Sequence, residues 1–63
     1  MKELDVVKLN RDFEDLKAGT IGAIVLDYDD INCEVEFIDD NKDTIGVYTT
    51  PKNYLILVES YNK

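Results

Sequence analysis

The chain has no histidine, and this absence excludes the most common catalytic arrangements. Neither a Ser-His nor a Cys-His pair can form without an imidazole to act as the base. Paired carboxylates remain for acid–base chemistry, but the acidic residues fall in predicted turns and on an outward strand face, without a concave pocket to raise a pKa. The sequence therefore predicts a protein that is not an enzyme and that needs no cofactor.

The chain also has only one cysteine, Cys33, so it cannot form an intramolecular disulfide. Cys33 lies in an alternating apolar run, which predicts a small buried side chain. No apolar stretch approaches the roughly 20 residues that span a bilayer, and no secretory segment precedes the strand pattern. These features predict a protein of the reducing cytoplasm that does not bind membranes.

The length of 63 residues predicts one domain, covering residues 1–63, with a small core and no deep cavity. Hydrophobic residues make up 44% of the chain, which is sufficient for a compact core even though 33% of the residues are charged. We expect a folded domain with little stability to spare.

The charge of the chain is strongly negative. Seven lysines and arginines against 14 aspartates and glutamates give a net charge of −7. This charge repels a phosphate backbone and disfavours direct nucleic-acid binding. The same field attracts basic surfaces, so the favoured partner is a basic protein, although solubility alone is the simpler interpretation.

Turn-forming residues divide the chain into five short blocks of strand-like composition. The predicted strands cover residues 4–9, 21–28, 31–38, 44–50 and 54–58. The third has the clearest two-residue period, which places four side chains on the inward face: Ile31, Cys33, Val35 and Phe37. Asn32, Glu34 and Glu36 then face outward.

The segment between the first two strands, residues 10–20, has Phe13 and Leu16 three positions apart, as one short helical turn would place them. Gly19 and Gly22 follow, and glycines at such positions allow a positive φ or a sharp bend where a strand enters a small barrel. The predicted fold class is all-β: a small five-stranded SH3-like barrel with one short helical turn in the first long loop.

Three blocks of sequence carry a resemblance to a known family. They are Leu4-Asp5-Val6-Val7-x-Leu9, Gly19-x-x-Gly22-x-Ile24-Val25 and Glu34-Val35-Glu36-Phe37, followed by a closing Leu55. Over nearly its whole length the chain resembles the small bacterial family called domain of unknown function 4926, and more distantly the glycine-centred strand turn of KOW-type modules. The resemblance implies a small barrel and no assigned biochemistry. Gly46 and residues 48–51 depart from a family that is usually more aliphatic there.

Two acidic stretches have the spacing with which a calcium loop begins: Asp27-x-Asp29 and Asp39-x-Asn41-x-Asp43. A complete loop needs glycine at its sixth position and glutamate at its twelfth, and neither stretch has them. Asp and Asn side chains commonly cap their own turns, so we interpret both stretches as turns and predict no metal site.

Eight of the 14 acidic residues lie between positions 27 and 43. Two of them point outward from the third strand and six crowd the turns at its ends, which concentrates negative potential on one edge of the barrel. Tyrosines at strand ends add aromatic groups that are typical of interfaces. The alternative is a solvated face that prevents edge pairing. The predicted protein-binding residues are Asp27, Tyr28, Asp29, Asp30, Glu34, Glu36, Asp39, Asp40 and Asp43.

The leading functional hypothesis is a cytoplasmic protein-interaction module, a small acidic inhibitor such as an immunity protein or antitoxin that binds a basic toxin or nuclease. A second hypothesis is a stand-alone scaffold or regulatory subunit, with or without self-association through a barrel edge. A third is nucleic-acid or ribosome association through the KOW-like turn, which the scattered cations Lys2, Lys8, Arg11 and Lys17 support poorly.

Overall fold

The structure is a computed structural model that describes residues 1–27 and 29–61. Five strands form one antiparallel sheet, and one 3₁₀ turn is the single helical element of the described residues. The predicted all-β class and the five strands are confirmed. No helix within the described part of the chain is long and apolar enough to cross a membrane. The elements are β1 (Val6–Leu9), β2 (Ile21–Leu26), β3 (Asn32–Ile38), β4 (Thr44–Pro51), the 3₁₀ turn (Lys52–Tyr54) and β5 (Leu55–Glu59).

The strand order shows that the sheet is rolled up. β5 follows β4 in sequence but pairs with β1, so the order across the sheet is β4-β3-β2-β1-β5. In a flat sheet the outer strands would lie about 19 Å apart, four spacings of about 4.8 Å. The link from Pro51 at the end of β4 to Leu55 at the start of β5 is four residue steps long and spans at most about 14 Å when fully extended. The sheet must therefore curve into the predicted barrel-like shape, while the finer SH3-like classification stays a prediction.

The core lies inside this curved sheet. Cys33, Val35 and Phe37 on β3 are all completely buried, which confirms the predicted inward face, and Val7, Leu9, Leu16, Ile24 and Leu55 complete the cluster. Ile31 was predicted to share that face, and this prediction is wrong, because its side chain is 70% exposed. β3 begins only at Asn32, and Ile31 belongs to the preceding turn, where its N–H donates to Asp29 Oδ1 at 2.8 Å.

The helical turn predicted in the first long loop is also wrong. Phe13 and Leu16 exchange two backbone hydrogen bonds of 2.9 and 2.8 Å, which form an isolated antiparallel bridge closed by a tight turn. Glu14 takes φ = 55° within that turn, a left-handed conformation that no right-handed helix contains. The described chain instead makes its helical turn after Pro51, where Tyr54 was predicted to begin the last strand.

Glycines perform two different tasks at the entry to β2. Gly19 takes φ = 92°, as the turn before the strand requires, and its N–H donates to Leu9 O at 2.7 Å. Gly22 lies inside β2 opposite Phe37, and a Cβ atom there would lie 2.7 to 2.9 Å from atoms of Val35, Glu36 and Phe37. The absence of a side chain at Gly22 thus lets β2 approach β3 closely at the centre of the core.

Candidate protein-binding surface

The structure gathers the predicted acidic residues around β3, as the hairpin pattern indicated. Asp27, Asp29 and Asp30 lie at the turn between β2 and β3, and the turn between β3 and β4 carries the second group, Asp39, Asp40 and Asp43. Glu34 and Glu36 lie between these turns on the face of β3 opposite the core, which we call the outer face. These eight residues are the acidic surface. Tyr28, the ninth predicted residue, lies outside the described residues.

The acidic turns are held by their own aspartates. Asp29 Oδ1 accepts the N–H groups of Ile31 and Asn32 at 2.8 and 2.6 Å, and these bonds hold the pKa of the Asp29 carboxyl below its usual value, the bond from Asn32 contributing most. Asp39 Oδ1 accepts N–H groups from Asn41 and Asp43 at 2.8 and 3.0 Å in the same way. The interpretation of both stretches as self-capped turns is confirmed.

One cation enters the acidic surface from a distant part of the sequence. Lys52 Nζ lies 2.5 Å from Asp27 Oδ1 and is the ionic partner of that inward-pointing oxygen. The hydrogen bond to Asp27 raises the pKa of Lys52. The two residues line a shallow depression of about 210 Å³ together with Asp29 and Asp30. Sequence analysis missed this contact, because Lys42 is the only cation between positions 27 and 43 and Lys52 lies beyond the next strand.

The two glutamates of the acidic surface are oriented by threonines of β4. Thr44 Oγ1 donates to Glu36 Oε2 at 2.6 Å, and Thr49 Oγ1 donates to Glu34 Oε2. Both donors come from the strand at the edge of the sheet, so the two carboxylates lie toward that edge. No sequence pattern predicts these contacts, because they depend on the register that pairs β3 with β4.

β4 itself provides an uncharged strip beside the acidic surface. None of its residues, Thr44–Pro51, carries a charge. Ile45 and Val47 expose 43% and 56% of their side chains, and β4 lies at the end of the strand order. Sequence analysis predicted β4 as a strand but did not predict that it would be an edge strand.

Aromatic residues form a cluster at the other face of β4. Phe13 packs edge-to-face with Tyr48 and Tyr54, with ring centroids 6.3 and 5.5 Å apart, and all three rings are half-buried against the core. Tyr48 donates its hydroxyl to Asp15 at 3.0 Å, and this bond raises the pKa of the tyrosine. Tyr61, by contrast, is 45% exposed.

Of the four cations that the nucleic-acid hypothesis invokes, Lys2 and Arg11 make contacts within the chain. The guanidinium of Arg11 lies 4.3 Å above the centre of the Tyr54 ring, and Lys2 Nζ lies 2.8 Å from Asp5 Oδ1. These contacts occupy two of the positive groups that the nucleic-acid hypothesis requires for phosphate binding.

Asp5 is a buried acidic residue that sequence analysis did not single out. Its side chain is only 2% exposed and accepts hydrogen bonds from the Lys2 backbone N–H, from Lys2 Nζ and from the Tyr61 N–H, at 3.0, 2.8 and 2.8 Å. These donors, above all the Lys2 side chain, lower its pKa from 3.8 to about 2. The carboxylate of Asp5 thus links the segment at Lys2 to the segment at Tyr61.

Comparison with known proteins identifies a family without a described activity. The family model described as Domain of unknown function (DUF4926) matches residues 3–57. Neither the curated proteins nor the solved structures contain a match to the chain.

Proposed function

The chain belongs to the DUF4926 family, and we propose that it is a non-catalytic, cytoplasmic protein-interaction module. Its partner is a basic protein, most concretely a toxin or nuclease that the module inhibits as an immunity protein or antitoxin does. The contact is made by the acidic surface around β3.

The observation that carries this proposal is the arrangement of charge. Eight carboxylates surround one strand and its two turns, and the cations among them are Lys42 in the second turn and Lys52 against Asp27. One-signed potential over a compact surface speeds encounter with an oppositely charged partner and discriminates against acidic ones. A surface that serves solubility alone has no need of this grouping, since dispersed charges provide the same net value.

The test begins with partners recovered from a lysate of the source cell and continues with measured association rates. The variant Asp30→Asn/Asp40→Asn/Asp43→Asn removes three charges from the acidic surface and leaves Asp29 and Asp39 to cap the turns. We expect it to bind the recovered basic partner more slowly, with a weaker dependence of the association rate on salt. The toxic or nuclease activity of the recovered partner is then assayed with and without the module, which shows whether binding abolishes that activity.

A matched control changes the net charge by the same amount at residues outside the acidic surface. Glu3→Gln/Glu14→Gln/Glu59→Gln removes three carboxylates that lie outside the acidic surface, so both variants change the net charge from −7 to −4. The control should associate nearly as fast as the parent. Equal slowing in both variants, or recovery of only acidic or neutral partners, would show that the acidic surface has no role in recognition.

The alternative function is a scaffold or regulatory subunit that inhibits nothing. One observation favours it: β5, the other edge strand, exposes Ile56, Leu57 and Val58 by 44 to 49% each. An edge strand with exposed apolar side chains favours pairing with another chain. Sedimentation of the purified protein measures whether it forms a stable oligomer, and the partner assay measures whether binding inhibits the partner. A stable oligomer that leaves the partner's activity intact supports the scaffold.

A further inference from the structure

The backbone of β4 presents free hydrogen-bonding groups at the edge of the sheet. The β3–β4 ladder begins with Asn32 opposite Pro51, and just beyond it Lys52 N–H donates to Ile31 O at 2.7 Å, so Ile31 and Lys52 continue the same register as a hydrogen-bonded pair. Hydrogen-bonded and non-hydrogen-bonded pairs alternate along antiparallel strands, and the register is regular from Pro51 back to Gly46. Val47 and Thr49 are therefore in non-hydrogen-bonded pairs, and their N–H and C=O groups point away from β3.

No other described segment pairs with this side of β4. Pro51, the next residue with the same orientation, has no N–H to offer, so the open edge consists mainly of Val47 and Thr49. Their side chains lie on the outer face, because they are paired with Glu36 and Glu34 across the ladder. A strand added at this edge would place two side chains, separated by one residue, directly beside Val47 and Thr49.

The charges beside this edge define what those two side chains must be. The carboxylates of Glu34 and Glu36 are drawn toward β4 by the hydroxyls of Thr49 and Thr44. An added strand would lie about 4.8 Å beyond β4, within reach of a lysine or arginine side chain directed at those carboxylates. The residue between the two cations would lie on the opposite face, beside the half-buried Tyr48, where an apolar side chain fits.

We propose that an extended segment of a partner, with the pattern cation–apolar–cation, adds to the open edge of β4 as a sixth strand. This inference rests on the proposed function and specifies how the basic partner is recognised: main-chain hydrogen bonds to Val47 and Thr49 give affinity, and the acidic surface selects the side chains. β5 is the other edge, but its neighbour in the sheet is β1, which carries the cation Lys8 and no carboxylate, so a cationic strand has less reason to pair there.

The probe is an eight-residue peptide of alternating lysine and valine, blocked at both ends, and the readout is its affinity for the full chain at low salt. We expect saturable binding that weakens as salt is added. A matched peptide in which glutamate replaces lysine should not bind. Failure of the lysine peptide to bind overturns strand addition, whereas the capture of a folded basic partner by the acidic surface is measured separately and does not depend on this result.

N-methylation of the peptide separates strand addition from plain charge attraction. With the lysines on the outer face, their N–H groups point toward β4, while the valine N–H groups point to solvent. Methylation at the lysines removes the hydrogen bonds to Val47 and Thr49 and should weaken binding by about tenfold. Methylation at the valines should change affinity by less than about threefold. Equal affinities for both methylated peptides overturn strand addition and leave the proposed function intact.

A pair of protein variants tests the location. Val47→Lys and Ile56→Lys each add one positive charge at an exposed edge-strand position, one on β4 and the other on β5. Val47→Lys should weaken peptide binding by about tenfold and Ile56→Lys by less than about threefold, because only the first places a cation at the site. The reverse order assigns the site to β5. A dimer of the parent that Val47→Lys dissociates would show that the occupant of this edge is a second copy of the chain.

Discussion

Asp5 lies inward beside Val7 and Leu9, although an aspartate in a strand-like segment normally indicates an exposed position. The two-residue period of the first strand does place residue 5 on the same face as residues 7 and 9. The alternation alone therefore predicts that Asp5 is buried. A charged side chain argues against that prediction, because a buried carboxylate needs hydrogen-bond donors from other parts of the chain. Those donors, at Lys2 and Tyr61, become visible only in three dimensions.

The depressed pKa of Asp5 predicts a specific dependence of stability on pH. The folded pKa of about 2 lies below the unfolded value of 3.8, so the carboxylate stabilises the fold fully above pH 3.8 and loses this contribution as the pH falls toward 2. Asp5→Asn should lower the melting temperature at pH 7. The difference between parent and variant should shrink as the pH falls from about 4 to about 2.

Thermal melts of both proteins from pH 7 to pH 2 measure this difference directly. Comparison with the variant is necessary because acidification also changes the net charge, which is negative above the pI of about 4.2 and positive below it, and this alters self-repulsion in both proteins alike. A difference that stays constant across the acid range would mean that the charge of Asp5 contributes nothing and that only its hydrogen bonds matter.

At the scale of the elements, the close approach of β2 to β3 predicts different costs for two glycine substitutions. Gly22→Ala should lower the free energy of unfolding by about 1–3 kcal/mol, because the new methyl group would meet the carbonyl oxygen of Glu36 at 2.8 Å as well as two core side chains. Gly46→Ala should change it by less than about 1 kcal/mol, because the nearest atom, on the ring of Tyr48 at 3.2 Å, would have to shift by only a few tenths of an ångström. Urea denaturation gives both values, and equal costs would contradict the close packing at Gly22.

The strands were predictable where one face is buried and the other is not. β3 alternates without interruption, and its inward side chains from Cys33 to Phe37 follow directly from the sequence. The turn between Phe13 and Leu16 was not predictable in type, because a spacing of three residues fits a helical turn and a closed bridge equally well. Pairing between backbone groups, which leaves no trace in side-chain pattern, decides between the two.

At the scale of the whole molecule, the net charge of −7 predicts that salt stabilises the protein without specific ion binding. Sodium chloride should raise the melting temperature by screening self-repulsion. Calcium at equal ionic strength should add nothing further, because Oδ1 of Asp29 and Oδ1 of Asp39, the oxygens that point into the two acidic turns, already accept backbone N–H groups. A saturable increase of the melting temperature with calcium alone would identify a metal site at these turns.

The acidic surface shows which part of a site sequence can predict. Its eight carboxylates all lie in one segment, residues 27–43, and a hairpin keeps that segment together, so their clustering was predictable from the alternation and the turns. Lys52 and the open edge of β4 depend on long-range arrangement, the first on an ion pair with Asp27 and the second on β5 pairing with β1 instead of β4. Neither the ion pair nor the open edge produces a pattern in the nearby sequence.

The pairing of β1 with β5 also determines the order in which the protein can fold during synthesis. The register pairs Leu9 with Leu55, so one edge of β1 stays unpaired until β5 has left the ribosome. The hairpins formed by β2, β3 and β4 need only local contacts and can form earlier, because short loops close faster than long ones. A nascent chain that stops before β5 therefore exposes β1, and such chains should be targets for chaperones and proteases until β5 pairs with β1.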